Sequence, residues 1–211
     1  MTTDATHPAG LQSVCVFCGS RDGDDPAYTD AARDFGRLLA EHRLGLVYGG
    51  GGAGMMGAVA DGALASGGHV TGVIPLSMVY AEREHPGVVE RGEMIHVSTM
   101  HERKSIMHER SGAFVALPGG VGTFEEVFEA IAWDQLDLHD KPIGFLNTNS
   151  FYAPLRRFVE SAHRAGFIPE STMDVLVFGD EPAELLEKLR ARADLERTPR
   201  LGLDWSAGQP H

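Results

Sequence analysis

Apolar runs alternate with amphipathic stretches along most of this chain. Short runs rich in branched and aromatic residues fall at Ser13–Cys18, Gly45–Tyr48, His69–Ile74, Met94–Val97, Ala113–Leu117, Pro142–Leu146 and Val175–Phe178. Several are continuously apolar rather than alternating, as expected of strands covered on both faces. Between them, helical spacing marks segments near Pro26–His42, Met55–Ser66, Met100–Ser111, Phe124–Leu136, Phe151–Ala165 and Glu181–Arg192. Repeated strand–helix alternation predicts a doubly wound α/β domain: a mainly parallel sheet of about seven strands, right-handed crossovers and helices on both faces. Ligands of such sheets bind beyond the C-terminal strand ends. The glycine-rich stretches Gly19-Ser20, Gly49–Gly57 and Pro118–Thr123 all fall there.

The pattern occupies residues 11–195 as one domain with no internal repeat or dividing linker. Residues 1–10 and 196–211 are polar or broken by Pro and Gly and read as loosely held tails. A chain of 211 residues can bury a substantial core. Pro75–Glu93 is a long polar connection, and connections of that length are usually functional or mobile. The net charge of −12 argues against a nucleic-acid polymer as partner, since that affinity rests on Lys and Arg. No apolar run approaches the ~20 residues of a membrane span. Met1–Gly10 lacks the basic start and apolar stretch of a secretion signal. Neither polymer nor membrane is expected as a partner, and the default location is cytoplasmic.

Two motifs have bland readings that prevail. Cys15 and Cys18 form a C-x-x-C within one strand. Residues three apart in a strand point to opposite faces, roughly 10 Å apart along it, whereas a disulfide needs Cα atoms within about 7 Å. A structural role is expected. Gly52-Ala53-Gly54-Met55-Met56-Gly57 matches G-x-G-x-x-G between a strand and a helix. A dinucleotide fingerprint would place a carboxylate at the end of the next strand, and His69–Ile74 runs into Pro75-Leu76-Ser77-Met78 instead. Close helix–strand packing is the expected role, and no nicotinamide cofactor is implied.

Leu117-Pro118-Gly119-Gly120-Val121-Gly122-Thr123-Phe124-Glu125-Glu126 carries the strongest chemical signal. A strand ends, glycines turn the backbone, and a helix begins; its first N–H groups lack internal partners and favour anions. A competing account makes Thr123 an N-cap and Glu126 its capping-box partner. Helical spacing puts Phe124, Val127, Phe128 and Ile131 on one face, with Glu126 opposite and Glu125 at the flank. Spacing leaves capping and catalysis both open. Met100-His101-Glu102-Arg103-Lys104 shifts the balance, because it also begins at the ligand edge and brings two cations to an acidic chain. Guanidinium geometry suits a phosphate or carboxylate; the alternative is a solvated face with Glu102 and Glu109 as partners.

These segments resemble the Lonely guy family of cytokinin riboside 5′-monophosphate phosphoribohydrolases. PGGVGTFEE matches that family's P-G-G-x-G-T-x-x-E, MHERK its M-x-x-R-K, and VYGGGGAGMMG is similar to its earlier glycine loop. The similarity runs from about Ser13 to Ile168. It implies a Rossmann-like fold, a dimer or larger oligomer (here a homodimer), and hydrolysis of a purine nucleoside 5′-monophosphate to free base and ribose 5-phosphate. Arg103 and Glu126 match the pair regarded as catalytic. Gly119, Gly120, Val121, Gly122 and Thr123 match the phosphate loop; Phe124 and Glu125 belong to the same substrate-contacting stretch. Met100 and Lys104 match the basic motif, Ser20 and Gly51 lie in the other two glycine turns, and Glu84 corresponds to a further substrate-contacting glutamate. The loop before Glu84 is about one residue longer than the family pattern.

No cofactor is implied. No H-E-x-x-H occurs, and His101 and His108 read as surface residues rather than metal ligands. A pyridoxal enzyme would need a Schiff-base lysine, and of Lys104, Lys141 and Lys188 only Lys104 sits at the ligand edge. A non-catalytic nucleotide-binding or sensor protein of the same fold is the alternative. The choice between adenine and an N6-substituted adenine is open at this level.

Overall fold

A computed structural model describes residues 11–195; the two predicted tails lie outside the described residues. Seven strands are present: β1 Ser13–Phe17, β2 Gly45–Tyr48, β3 Val70–Pro75, β4 Glu93–Val97, β5 Ala113–Ala116, β6 Ile143–Leu146 and β7 Leu176–Gly179. They form one sheet in the order β4-β3-β2-β1-β5-β6-β7, with every pairing parallel. The helices are α1 Pro26–Glu41, α2 Gly54–Ala65, α3 Val79–Glu82, α4 Pro86–Arg91, α5 Met100–Glu109, α6 Val121–Gln135, α7 Ala153–Arg164, α8 Glu170–Met173 and α9 Pro182–Ala193. All seven predicted strands and six predicted helices are present within a few residues. The Pro75–Glu93 connection is the main difference, since a 3-10 turn at Leu76–Met78, α3 and α4 occupy it. Helices this short lack the repeat that would reveal them as a period.

Each strand distributes its residues to two cores by strict alternation. Val14, Val16 and Cys18 join one core with Leu46, Tyr48, Ala113 and Val115, beneath α1, α2 and α9. Cys15, Phe17, Val47, Phe114 and Ala116 face the other, beneath α5 and α6. The cysteines are buried and free, on opposite faces as their spacing requires. The chain builds outward from β1 to β4, then restarts on the other side of β1 with β5. That reversal leaves the β1 and β5 ends diverging, which opens a crevice at their C-terminal edge.

The buried face of α6 departs from the predicted one. Thr123, Val127, Ala130, Ile131 and Asp134 are buried, while Phe124 and Phe128 remain 37% and 38% exposed. The helix starts three residues earlier than expected, with Gly120 as N-cap and no side-chain cap. Thr123 is therefore inside the first turn, and Glu126 lies beyond the reach of a capping box. A close relative of the capping box occurs at α5: Thr99 Oγ1 accepts from Glu102 N–H at 3.1 Å, and Glu102 Oε2 accepts from the N–H of Ser98, one residue before the cap, at 2.8 Å.

Candidate active site

A cavity of about 680 Å³ occupies the crevice between β1 and β5. Its walls come from the turn after β1 (Gly19–Asp24), the start of α2, Glu82, α5 and the Pro118–Glu126 segment. Of the residues singled out in the sequence, Ser20, Met100, Arg103, Gly119, Gly120, Val121, Gly122, Thr123, Glu125 and Glu126 line it. Gly51, Glu84, Lys104 and Phe124 do not.

The two glycine motifs end in opposite situations. The first N–H groups of α2 are already taken: Met56 N–H donates to Gly19 O at 3.2 Å and Met55 N–H to Arg21 O at 3.4 Å. Gly54 makes this contact possible, because its φ of 62° and the adjacent Ser20 and Arg21 backbone leave no room for a Cβ. A dinucleotide pyrophosphate would find both of these donors occupied. Among the described residues nothing plugs the α6 terminus, and added Cβ atoms at Gly120 or Gly122 would meet only open space. Its free N–H groups and dipole face the cavity.

Arg103 is 3% exposed on the first turns of α5. Its Nη2 donates to Gly49 O at 2.9 Å and to Glu82 Oε2 at 3.1 Å, with Nη1 to Glu82 Oε1 at 3.5 Å. The Met78 and Met100 sulfurs stand 4.0 and 3.8 Å from Nη1. A Cβ at Gly49 would overlap this guanidinium, so the glycine at the end of β2 is a condition of its placement. No motif in the sequence singles out Glu82. Glu84, chosen instead, turns away: it pairs with His96 and bridges to Gly51. Arg83 separates the two with a left-handed φ of 52°, and Gly52 N–H anchors the turn on Arg83 O at 2.6 Å. Gly51 thus supports the segment carrying Glu82 without lining the cavity.

Lys104 points elsewhere. Its Nζ donates to Glu125 at 2.7 Å and Glu129 at 2.9 Å, tying α5 to α6. Neither expected partner, Glu102 or Glu109, holds either cation. Lys141 Nζ donates to His108 O and Lys188 Nζ to Phe178 O, so no lysine of the chain lines the cavity. His101 is exposed as expected, but His108 is buried against Phe114, Trp133 and His139. Its aromatic neighbours, not solvent, select that residue.

Glu126 faces the cavity rather than solvent, next to the buried Thr123–Ala130 row of α6. Burial pushes its carboxyl up to about 7, against the opposing pull of Arg103, while Glu125 and Glu82 reinforce the rise. The cavity therefore holds a carboxyl poised near neutrality, a fixed guanidinium and an open helix terminus. This set can hold an anion at one end and manage a developing positive charge or a proton at the other.

The family profile described as possible lysine decarboxylase matches residues 56–189. The cytokinin riboside 5′-monophosphate phosphoribohydrolase LOG5 of Arabidopsis thaliana is 47% identical over 181 residues, covering 86% of this chain and 78% of its own. LOG3 of the same plant, with the same enzyme name, is 41% identical over 202 residues, 96% of this chain and 93% of its own. The molybdenum cofactor carrier protein of Chlamydomonas reinhardtii superposes with a TM-score of 0.65 at 20% identity, covering 86% of this chain and 98% of its own, a likeness of fold alone. Identity of this order over most of both chains, on top of motifs that converge at one sheet edge, makes the chain a member of the Lonely guy family.

Proposed function

We propose that this protein hydrolyses the N-glycosidic bond of purine nucleoside 5′-monophosphates, releasing free base and ribose 5-phosphate. The observation that carries this reading is the placement of Glu126: a carboxyl raised by burial, in a crevice that also holds an uncapped helix terminus. In this reading the phosphate docks on the Gly119–Thr123 N–H groups, and its binding energy positions the ribose. As the C1′–N bond breaks, its electron pair leaves with the base, which takes up a proton. Positive charge builds on C1′ and the ring oxygen. The Glu126 carboxylate stabilises that charge, orients the attacking water and accepts its proton. Arg103, held by Glu82 and Gly49, keeps the nucleotide in register. Lysine decarboxylation does not fit these residues, because no lysine reaches the cavity to form a Schiff base.

Adenine released from AMP, measured by chromatography, tests the proposal, with isopentenyladenosine monophosphate as the second substrate. Glu126→Gln is expected to lower turnover by about 100-fold or more while AMP still binds. Tight AMP binding without release of base from the native protein would instead favour a nucleotide sensor.

A homodimer belongs to the same proposal. Val121, Phe124, Phe128, Ala132 and Leu136 form a stripe along the outer side of α6, with Val121 83% and Leu136 50% exposed. A second copy of the chain, presenting the same stripe, is the occupant we assign to it. Cytoplasmic residence completes the reading, and two free cysteines fit it.

A further inference from the structure

Among the described residues two cations line the cavity, Arg21 and Arg103, against five carboxylates: Asp22, Asp24, Glu82, Glu125 and Glu126. Arg103 is committed to Glu82 and Gly49 O. The exposed Arg21 side chain has no hydrogen-bond or ion-pair partner among the described residues. Its backbone is the opposite, fixed on both sides. Arg21 O and Gly19 O accept from the start of α2, and Gly19 N–H donates to Pro118 O at 3.2 Å. A Cβ on Gly19 would stand 3.3 Å from Gly119 Cα, so the turn after β1 rests directly on the turn that opens α6. A long, uncommitted guanidinium thus stands on a rigid base beside the uncapped terminus of α6 and shares its cavity.

We propose that Arg21 is the side-chain half of the phosphate site, closing on the substrate's 5′-phosphate from the side opposite the α6 N–H groups. The assignment rests on the phosphoribohydrolase reading and adds a residue to it. The α6 terminus supplies neutral donors and a partial positive charge. A phosphate dianion in an acidic crevice gains more from a full cation with planar, paired donors. Without Arg21 the rim of the turn would present only Asp22 and Asp24, which repel the dianion. Arg21 therefore sets the preference for phosphorylated over unphosphorylated nucleosides.

The test uses the full-length protein with Arg21→Ala and Arg21→Lys. Calorimetric titration of ribose 5-phosphate is paired with steady-state kinetics on AMP. In Arg21→Ala, the Kd for ribose 5-phosphate and the KM for AMP are expected to rise by about tenfold or more, as for loss of a charged hydrogen bond. Arg21→Lys keeps the charge and is expected to recover part of that loss. An Arg21→Ala protein that binds ribose 5-phosphate within about twofold of the native one overturns the assignment. So does Arg21→Lys failing as badly as Arg21→Ala, which would point to a structural role. If the native protein binds ribose 5-phosphate through Arg21 yet releases no adenine from AMP, the hydrolase reading falls and the phosphate assignment stands. Native protein that binds neither ligand overturns both.

Discussion

Glu126 is a carboxyl whose environment competes with itself. Burial raises its pKa to about 7, and Glu125 and Glu82 push the same way, while Arg103 and Lys104 pull it down. The native state binds this proton more tightly than the unfolded chain does. Its stabilising contribution is therefore complete below the usual carboxylate range and lost as pH rises through about 7. Catalysis runs in the other direction, since the ionised form faces the developing cation. The kcat/KM for AMP is accordingly expected to rise with pH along a limb near 7. Glu125→Gln removes a like charge and frees Lys104 from one of its two carboxylate partners, so the limb should move to lower pH. A pH–rate profile checks this; an unmoved or alkaline-shifted limb contradicts it. Arg103 and Glu126 were legible because their motifs are dense and specific. Glu82 was not. Pro75–Glu93 offers Glu82, Glu84, Glu90 and Glu93 with no period to choose among them, and the left-handed turn at Arg83 makes the choice.

At the scale of elements, α6 carries three separate duties on three sides. Its terminus opens into the cavity, its Thr123–Ile131 row is buried in the sheet, and its outer row stays exposed. Hydrophobicity alone merged the last two, because Phe124 and Phe128 look like core residues on any scale. The register is settled by Thr123, which packs against Gly119 and is 3% exposed. The exposed aromatics are then free for a partner copy. Phe128→Glu is expected to convert a dimer to monomers, because a buried unpaired carboxylate costs more than the contact it replaces. Sedimentation or light scattering would show it, and an unchanged mass would place the interface elsewhere.

Across the whole molecule, stability is expected to depend on acid through the aromatic pocket between β5, α5 and α6. His108 is pushed down to about 3 by burial, with nearby His139, Lys141 and Lys104 disfavouring its charge further. Its stabilising effect is present above its ordinary value near 6.5 and is lost progressively as pH falls toward 3. Between pH 7 and pH 5 this amounts to about 2 kcal/mol, the cost of keeping one imidazole neutral while the unfolded chain protonates. Urea unfolding at both pH values should show that loss, and His108→Phe should reduce it. A variant as acid-sensitive as the native protein would assign the effect to other groups.

The chain by itself determined the strands, the major helices, the parallel sheet they must form and the motif residues of the site. Those features are local or periodic, so each segment carries its own record. Only the tertiary structure decided the strand order whose reversal beside β1 opens the crevice. It also decided which helix terminus is free, since α2 is plugged by Gly19 and Arg21 carbonyls that belong to a different loop. The same holds for Glu82, Arg21 and His108. Their roles depend on residues distant in sequence, and no window along the chain records which groups folding will bring together.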